Sequence, residues 1–316
     1  MPILSTAGAG GLQPDLRLAV ALDQALLVIL TDMATIRNWS VAGTPAISQL
    51  GSINNSGSNT SRIRYAGLGG ANPFVDTAAE DTAVAETLLT DASVDIAVVR
   101  SALRRQISDL ATFTGFNQDI TPESLAADMG ASYESYFNGL VGDAVESATN
   151  TVGVTATAMT VDTWYLAMAD LESRAVPGPY YALLHPVTFS QFVDSLRGEA
   201  GAVQFKAADS SMLDLVGPGL KGEFLGVSIF TSTDVNETGG DKFSGMFGSY
   251  AMGYKTGSPD ARSYLGAGAA VQTNDGSITV EISREPNSAL TNIVGNAYCG
   301  LSVLEQDRLC GIVSVA

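Results

Sequence analysis

The element order predicts an α+β fold with helices and strands loosely interspersed, and three observations carry that reading. Apolar residues step by threes and fours from Leu125 to Val145, as one face of a long helix requires. Residues 276–316 are rich in short β-prone runs. Nowhere does the regular strand–helix alternation of a doubly wound parallel sheet recur, and no internal repeat is evident. With 316 residues, 46% of them hydrophobic, the chain can bury a sizeable core in one large domain or two.

Residues 1–13 are small and Gly-rich, a tail expected to order on assembly. From Pro14 to about Arg37, Leu18, Leu22, Ala25, Leu26, Ile29, Leu30 and Met33 recur at helical spacing, with Asp15, Asp23 and Asp32 off that face. Residues 51–61 (GSINNSGSNTS) read as a polar linker. A β-hairpin follows: one arm at 62–65, a glycine-rich tip at 67–73, and a return arm ending near Leu89, ambiguous between strand and helix over 78–85. Arg62 and Arg64 alternate along the first arm and so share a face. They are either partners for carboxylates on another subunit or solvent-facing solubilising charges. Residues 94–99 form a strand candidate, and 103–107 extend or follow it.

Thr121-Pro122 starts a helix, Thr as N-cap and Pro at the first helical position. It runs to about 148, roughly 40 Å at 1.5 Å per residue. Gly130, Gly139 and Gly142 weaken it, which suggests close packing along its flank. A second helix over 161–174 places Val161, Trp164, Met168 and Leu171 on one face, and Pro177-Gly178-Pro179 ends it. A short buried strand at 180–184 leads to a third helix over 186–196, stopped by Gly198. Strands are expected at 227–231, 245–254, 277–282, 296–304 and 308–315.

Composition and motifs exclude more than they propose. There are 33 Asp and Glu against 16 Lys and Arg, a net charge of −17. No clustered basic surface is spelled out that could displace counterions from a nucleic-acid backbone. The first residues lack the pattern of a secretory leader, and the apolar run at 25–30 is far short of the ~20 residues that span a bilayer. Cys299 and Cys310 read as buried thiols. His185 is the only histidine, which excludes Ser-His-Asp and multi-histidine metal sites, and its place before Pro186 suits a helix-entry residue whose ring bonds backbone. Acidic pairs are numerous enough to arise by chance. Gly67, Gly69 and Gly70 lack the Lys-Ser/Thr of a phosphate loop, and 266–268 fails likewise. No catalytic, cofactor or metal site emerges.

The run AVPGPYYALLHPVTFSQFVDSLRG at 175–198 and the run GEFLGVSIFTSTDV at 222–235 resemble the central domain of major capsid proteins of tailed double-stranded DNA bacteriophages, the Hong Kong 97 fold. The closing run ITVEISREPNSALTNIVGNAYCGLSVLEQDRLCGIVSVA is similar to that family's last β segment. The resemblance implies an N-terminal arm at 1–50, an E-loop hairpin at 51–92 and a peripheral domain at 93–150 with its spine helix at 121–148. It further implies an axial domain at 151–275 and peripheral strands at 276–316. By the same resemblance, the chain is a structural protein and not an enzyme. It would be made in the host bacterial cytoplasm and join itself in pentamers and hexamers as an icosahedral shell around DNA. Portal, scaffolding and decoration proteins would be its partners, with no cofactor and no membrane. Arg62, Arg64, Gly67, Leu68 and Pro73 are the candidate inter-subunit contacts. An encapsulin-like nanocompartment shell is the alternative of the same fold, and a hydrolase using an Asp pair the alternative of another class. Two departures matter. No lysine precedes Lys206, so the hairpin cannot supply the amine of a covalent cross-link, and a charged helical scaffold segment ahead of the arm is not expected.

Overall fold

The computed structural model describes residues 40–41, 43–53, 58–66, 91–108, 122–198, 205–207, 220–257, 270–272, 278–285, 287 and 289–315. Strands β1 (Ser40–Val41) and β2 (Thr44–Pro45) pair and lead into β3 (Ser48–Ile53); β4 (Thr60–Ala66), β5 (Asp91–Ala97) and β6 (Val99–Ser108) follow. Helix α1 (Pro122–Glu146) precedes β7 (Thr151–Gly153), α2 (Val161–Ser173), β8 (Tyr180–Leu184) and α3 (Pro186–Gly198). Next come β9 (Phe205–Ala207), β10 (Leu220–Phe224), β11 (Val227–Thr231), β12 (Glu237–Thr238), β13 (Asp241–Gly248) and β14 (Met252–Gly257). The chain closes with β15 (Ala270–Gln272), β16 (Ile278–Glu285), β17 (Leu290–Val303) and β18 (Leu309–Val315).

Two mixed sheets organise these strands. One is eight-stranded in the order β7-β18-β13-β8-β11-β10-β9, with β12 on β13; the other is six-stranded in the order β15-β16-β17-β14-β3, with β6 on β17. Helix α1 joins them. Its residues Met129, Tyr133, Phe137, Val141 and Val145 are buried at four-residue spacing, in one core with side chains from both sheets. A Cβ on Gly295 of β17 would stand 2.6 Å from Met129 Cε, and one on Gly245 of β13 would stand 2.6 Å from Val145 Cγ1. The absent side chains therefore let the helix lie on a strand of each sheet. Of its own glycines, Gly142 meets the expectation of close flank packing, since a Cβ there would be 2.6 Å from the Asp234 carbonyl oxygen. Gly139 does not, having nothing within 4 Å.

A second core fills the space between α2, α3 and the opposite face of the eight-stranded sheet. Trp164 stacks on Phe192 at 4.8 Å, and Phe224 meets both edge-on at 5.9 and 5.4 Å. Strand β8 feeds both cores by simple alternation: Tyr181 and Leu183 enter the first, Ala182 and Leu184 the second. It runs parallel to β11 and antiparallel to β13, buried on both faces. The β10–β11 hairpin turns through Leu225 (φ 53°) and Gly226 (φ 80°), the two left-handed residues of a tight hairpin loop. Leucine is a poor residue for that conformation, but its side chain packs on the second core.

Two expectations are corrected. The single strand at 245–254 is two strands: β13 stops at Gly248, Tyr250 takes φ 65°, and β14 enters the other sheet. The apolar run hides a sheet-to-sheet crossing, because burial on both sides of the turn leaves no polar signal. The candidate strand at 94–99 is not a separate element but the return arm of the hairpin, paired with β4 over Asp91–Ala97. Both sheets draw strands from either side of position 276: β18 lies beside β7 and β13, and β14 lies beside β17 and β3. The helix at 14–37, the return arm up to Leu89, the tip at 67–73, the Thr121 cap and the glycines at 266–268 lie outside the described residues.

Candidate functional site

The β4–β5 ladder is a two-stranded sheet of its own, in register from Thr60↔Ala97 to Ala66↔Asp91. Two strands alone are marginal in water, so its base must be held. Val98 N–H donates to the Asn59 carbonyl at 2.8 Å, and Lys255 Nζ on β14 donates to Ser61 Oγ at 2.6 Å. Ile96 and Val98 are buried at 1% and 8% exposure. Their seats are two glycines. A Cβ on Gly300 would come within 2.1 Å of the Ala97 carbonyl oxygen, and one on Gly257 within 3.2 Å of Val98 Cγ1. Sequence reasoning missed both glycines. Their interruption of apolar strand patterns is the signal that marks a close backbone approach.

Above the base the ladder is polar and open. Arg62 stands directly opposite Asp95 and donates twice, Nε to Oδ1 at 2.8 Å and Nη2 to Oδ2 at 2.9 Å. The hydrogen bonds from Arg62 hold the Asp95 carboxyl below the usual carboxylate range, and those to Asp95 raise Arg62. Of the two open readings for Arg62, a neighbour's carboxylate or solvent, the structure adds a third: a partner in its own chain, 33 residues on. Arg64 lies exposed on the same face, opposite Ser93. Gly67, Leu68 and Pro73 fall outside the described residues.

A groove of about 680 Å³ runs between α2 and the edge strand β7, with Val154 and Leu166 exposed at its rim at 65% and 60%. Its single ionisable lining residue is Asp170, ion-paired with Arg174, whose Nη1 also donates to the Asp307 carbonyl at 2.6 Å. The groove thus offers no second carboxylate for acid–base work. Both cysteines are buried thiols, as expected, and burial pushes the Cys310 thiol up to about 11. His185 caps α3 with its ring, also as expected, and burial followed by the Lys242 charge lowers its affinity for a proton. Among the described residues, no three His, Cys, Asp or Glu side chains converge to hold a metal, and no helix is long and apolar enough to cross a membrane.

No family model and no curated protein matches the sequence. Solved structures do match the fold. The capsid of the cyanophage P-SCSP1u is 13% identical with a TM-score of 0.57, over 87% of this chain and 90% of that one. The capsid of Ralstonia phage GP4 is 9% identical with a TM-score of 0.57, over 89% and 90%. The holo-SrpI encapsulin complex from Synechococcus elongatus is 13% identical with a TM-score of 0.55, over 83% and 82%. The chain has the Hong Kong 97-type capsid fold, α+β.

Proposed function

We propose that this chain is a major capsid protein whose copies close, as pentamers and hexamers, into an icosahedral shell around double-stranded DNA. The observation that supports this reading best is the pairing of a likeness to phage capsids over most of the chain with a two-stranded ladder outside the two main sheets. Among the described residues, two cores are buried within the body, whereas the ladder is seated on it at its base. Arg64 is exposed on the ladder, and Gly67, Leu68 and Pro73 are the further candidate contacts with neighbouring copies. The mechanism is geometric: small changes of bend at one repeated interface give rings of five or six. The acidic surface suits enclosure of DNA without gripping it. Localisation in the virion follows from the same reading, and no catalytic role is assigned.

The likeness to an encapsulin supports a second reading, a shell of the same fold around protein cargo. Electron microscopy of purified material tests the shell itself. Closed particles are expected, and monodisperse monomers under all conditions would overturn the reading. Nuclease-protected DNA inside the particles supports the capsid; a co-purifying enzyme without nucleic acid supports the compartment. Boiling the particles in detergent should release one band at the monomer mass, because no lysine precedes Lys206.

A further inference from the structure

His185 occupies the N-cap of α3. Its carbonyl accepts the Phe189 N–H at 2.9 Å, opening the helix, and its ring Nδ1 accepts the Val187 N–H at 3.2 Å. Pro186 at the first helical position has no N–H to satisfy, so the Val187 amide is the first donor in need of a partner. A Ser, Asp or Asn oxygen usually meets that need; here an imidazole does. The task requires a bare lone pair on Nδ1, which the neutral ring has when its proton sits on Nε2. An imidazolium carries N–H at both nitrogens and can accept from neither.

The surroundings oppose that cation. The N-terminus of α3 presents the positive end of its dipole, and its first turn holds no acidic residue. From the β12–β13 hairpin, Lys242 and Glu237 face the ring, but they are ion-paired to each other, so the attraction of one is offset by the repulsion of the other. Strand β18, which touches α3 through the buried Thr188–Ser314 hydroxyl pair at 2.9 Å, carries no charge. The backbone N–H of His185 donates to Ser244 Oγ at 3.2 Å, which ties the start of α3 to β13.

We propose that His185 is an acid-sensitive latch: protonation of Nδ1 releases the Val187 amide and loosens the first turn of α3 where it leaves β8. Burial lowers the folded-state pKa below the ordinary histidine value of 6.5. The folded chain then binds the proton less readily than the unfolded one. Stability is full above 6.5, falls as the pH drops through that value, and levels off below the folded pKa.

The test is hydrogen exchange with mass spectrometry on the full chain, as subunit or shell. Deuterium uptake at the imidazole carbon between its nitrogens reports the titration of the single histidine, and backbone uptake, corrected for intrinsic rate, reports the latch. From about pH 7.5 to about pH 5, protection over 186–190 should fall about fivefold or more, the scale of an N-cap, while the 161–173 segment keeps its protection. His185→Asn, whose Oδ1 can stand in for Nδ1 and does not titrate, should flatten that dependence. A histidine midpoint at or above 6.5, protection of 186–190 that ignores pH, or the same loss in H185N would overturn the proposal. Should the variant fail to fold, the comparison of α3 with α2 in the natural chain still decides.

Discussion

Strand β8 has residues 181–184 at 1% exposure or less, whereas β5, two residues longer, buries only Ile96 among its described side chains. Both are short and β-prone, yet β8 is gripped by a strand on either edge and a core on either face. The β4–β5 ladder has one strand per arm, a cross-strand ion pair and a seat on two glycines. The difference separates what folds the chain from what the fold is for. The body packs two apolar cores, while among the described residues the ladder above its base carries polar, exposed side chains.

The contrast breaks most forcefully in the body. Phe192→Ala removes a ring from the Trp164–Phe192–Phe224 cluster and should cost about 3–5 kcal/mol in urea unfolding of the subunit. A loss below about 1 kcal/mol would mean that the second core is not a packed unit. Gly300→Ala acts at the seam. Its Cβ would press on the Ala97 carbonyl oxygen, so the hairpin base must shift, at a cost of about 1–3 kcal/mol. Proteolysis should become faster between 58 and 98 while the 180–184 amides stay protected. Cleavage rising equally in both regions would merge hairpin and body into one unit.

The smallest effect belongs to Arg62–Asp95. The pair is exposed, with side chains 62% and 47% accessible, so its removal should leave the unfolding midpoint almost unchanged. What it should change is titration. The folded Asp95 pKa lies below its unfolded value, so the pair's contribution is present above that unfolded value and is lost as the pH falls through the folded one. In Arg62→Ala, the Asp95 titration should return upward, as followed by carboxyl NMR. An unmoved Asp95 would mean that Arg62 faces another partner.

The helices were legible from sequence because their signals are local. Leu125 to Val145 keeps one apolar face, Val161, Trp164 and Leu171 line one side of α2 ahead of Pro177-Gly178-Pro179, and Pro186 and Gly198 bracket α3. The observed ends, Pro122–Glu146, Val161–Ser173 and Pro186–Gly198, fall within two residues of those expected. Sheet membership was not legible, because it depends on partners far along the chain. β5 looked like an independent strand until β4 stood beside it, and β18 joins β7 in parallel across more than 150 residues of sequence. The crossing at Tyr250 has a bulky residue at positive φ, where turn statistics favour glycine. Within the candidate site, the alternation of Arg62 and Arg64 was readable, but Asp95, Gly257 and Gly300 become relevant only once the hairpin's register is known.

The central claim is that the hairpin is made for other copies and the body for itself. Joining Ala66 to Asp91, which are register partners, through a two-residue Gly-Ser turn removes residues 67–90 and leaves the β4–β5 base intact. Circular dichroism and thermal unfolding of this variant should match the natural subunit, while electron microscopy shows no closed shells. An unfolded variant subunit, or shells that form in normal yield, would contradict the account.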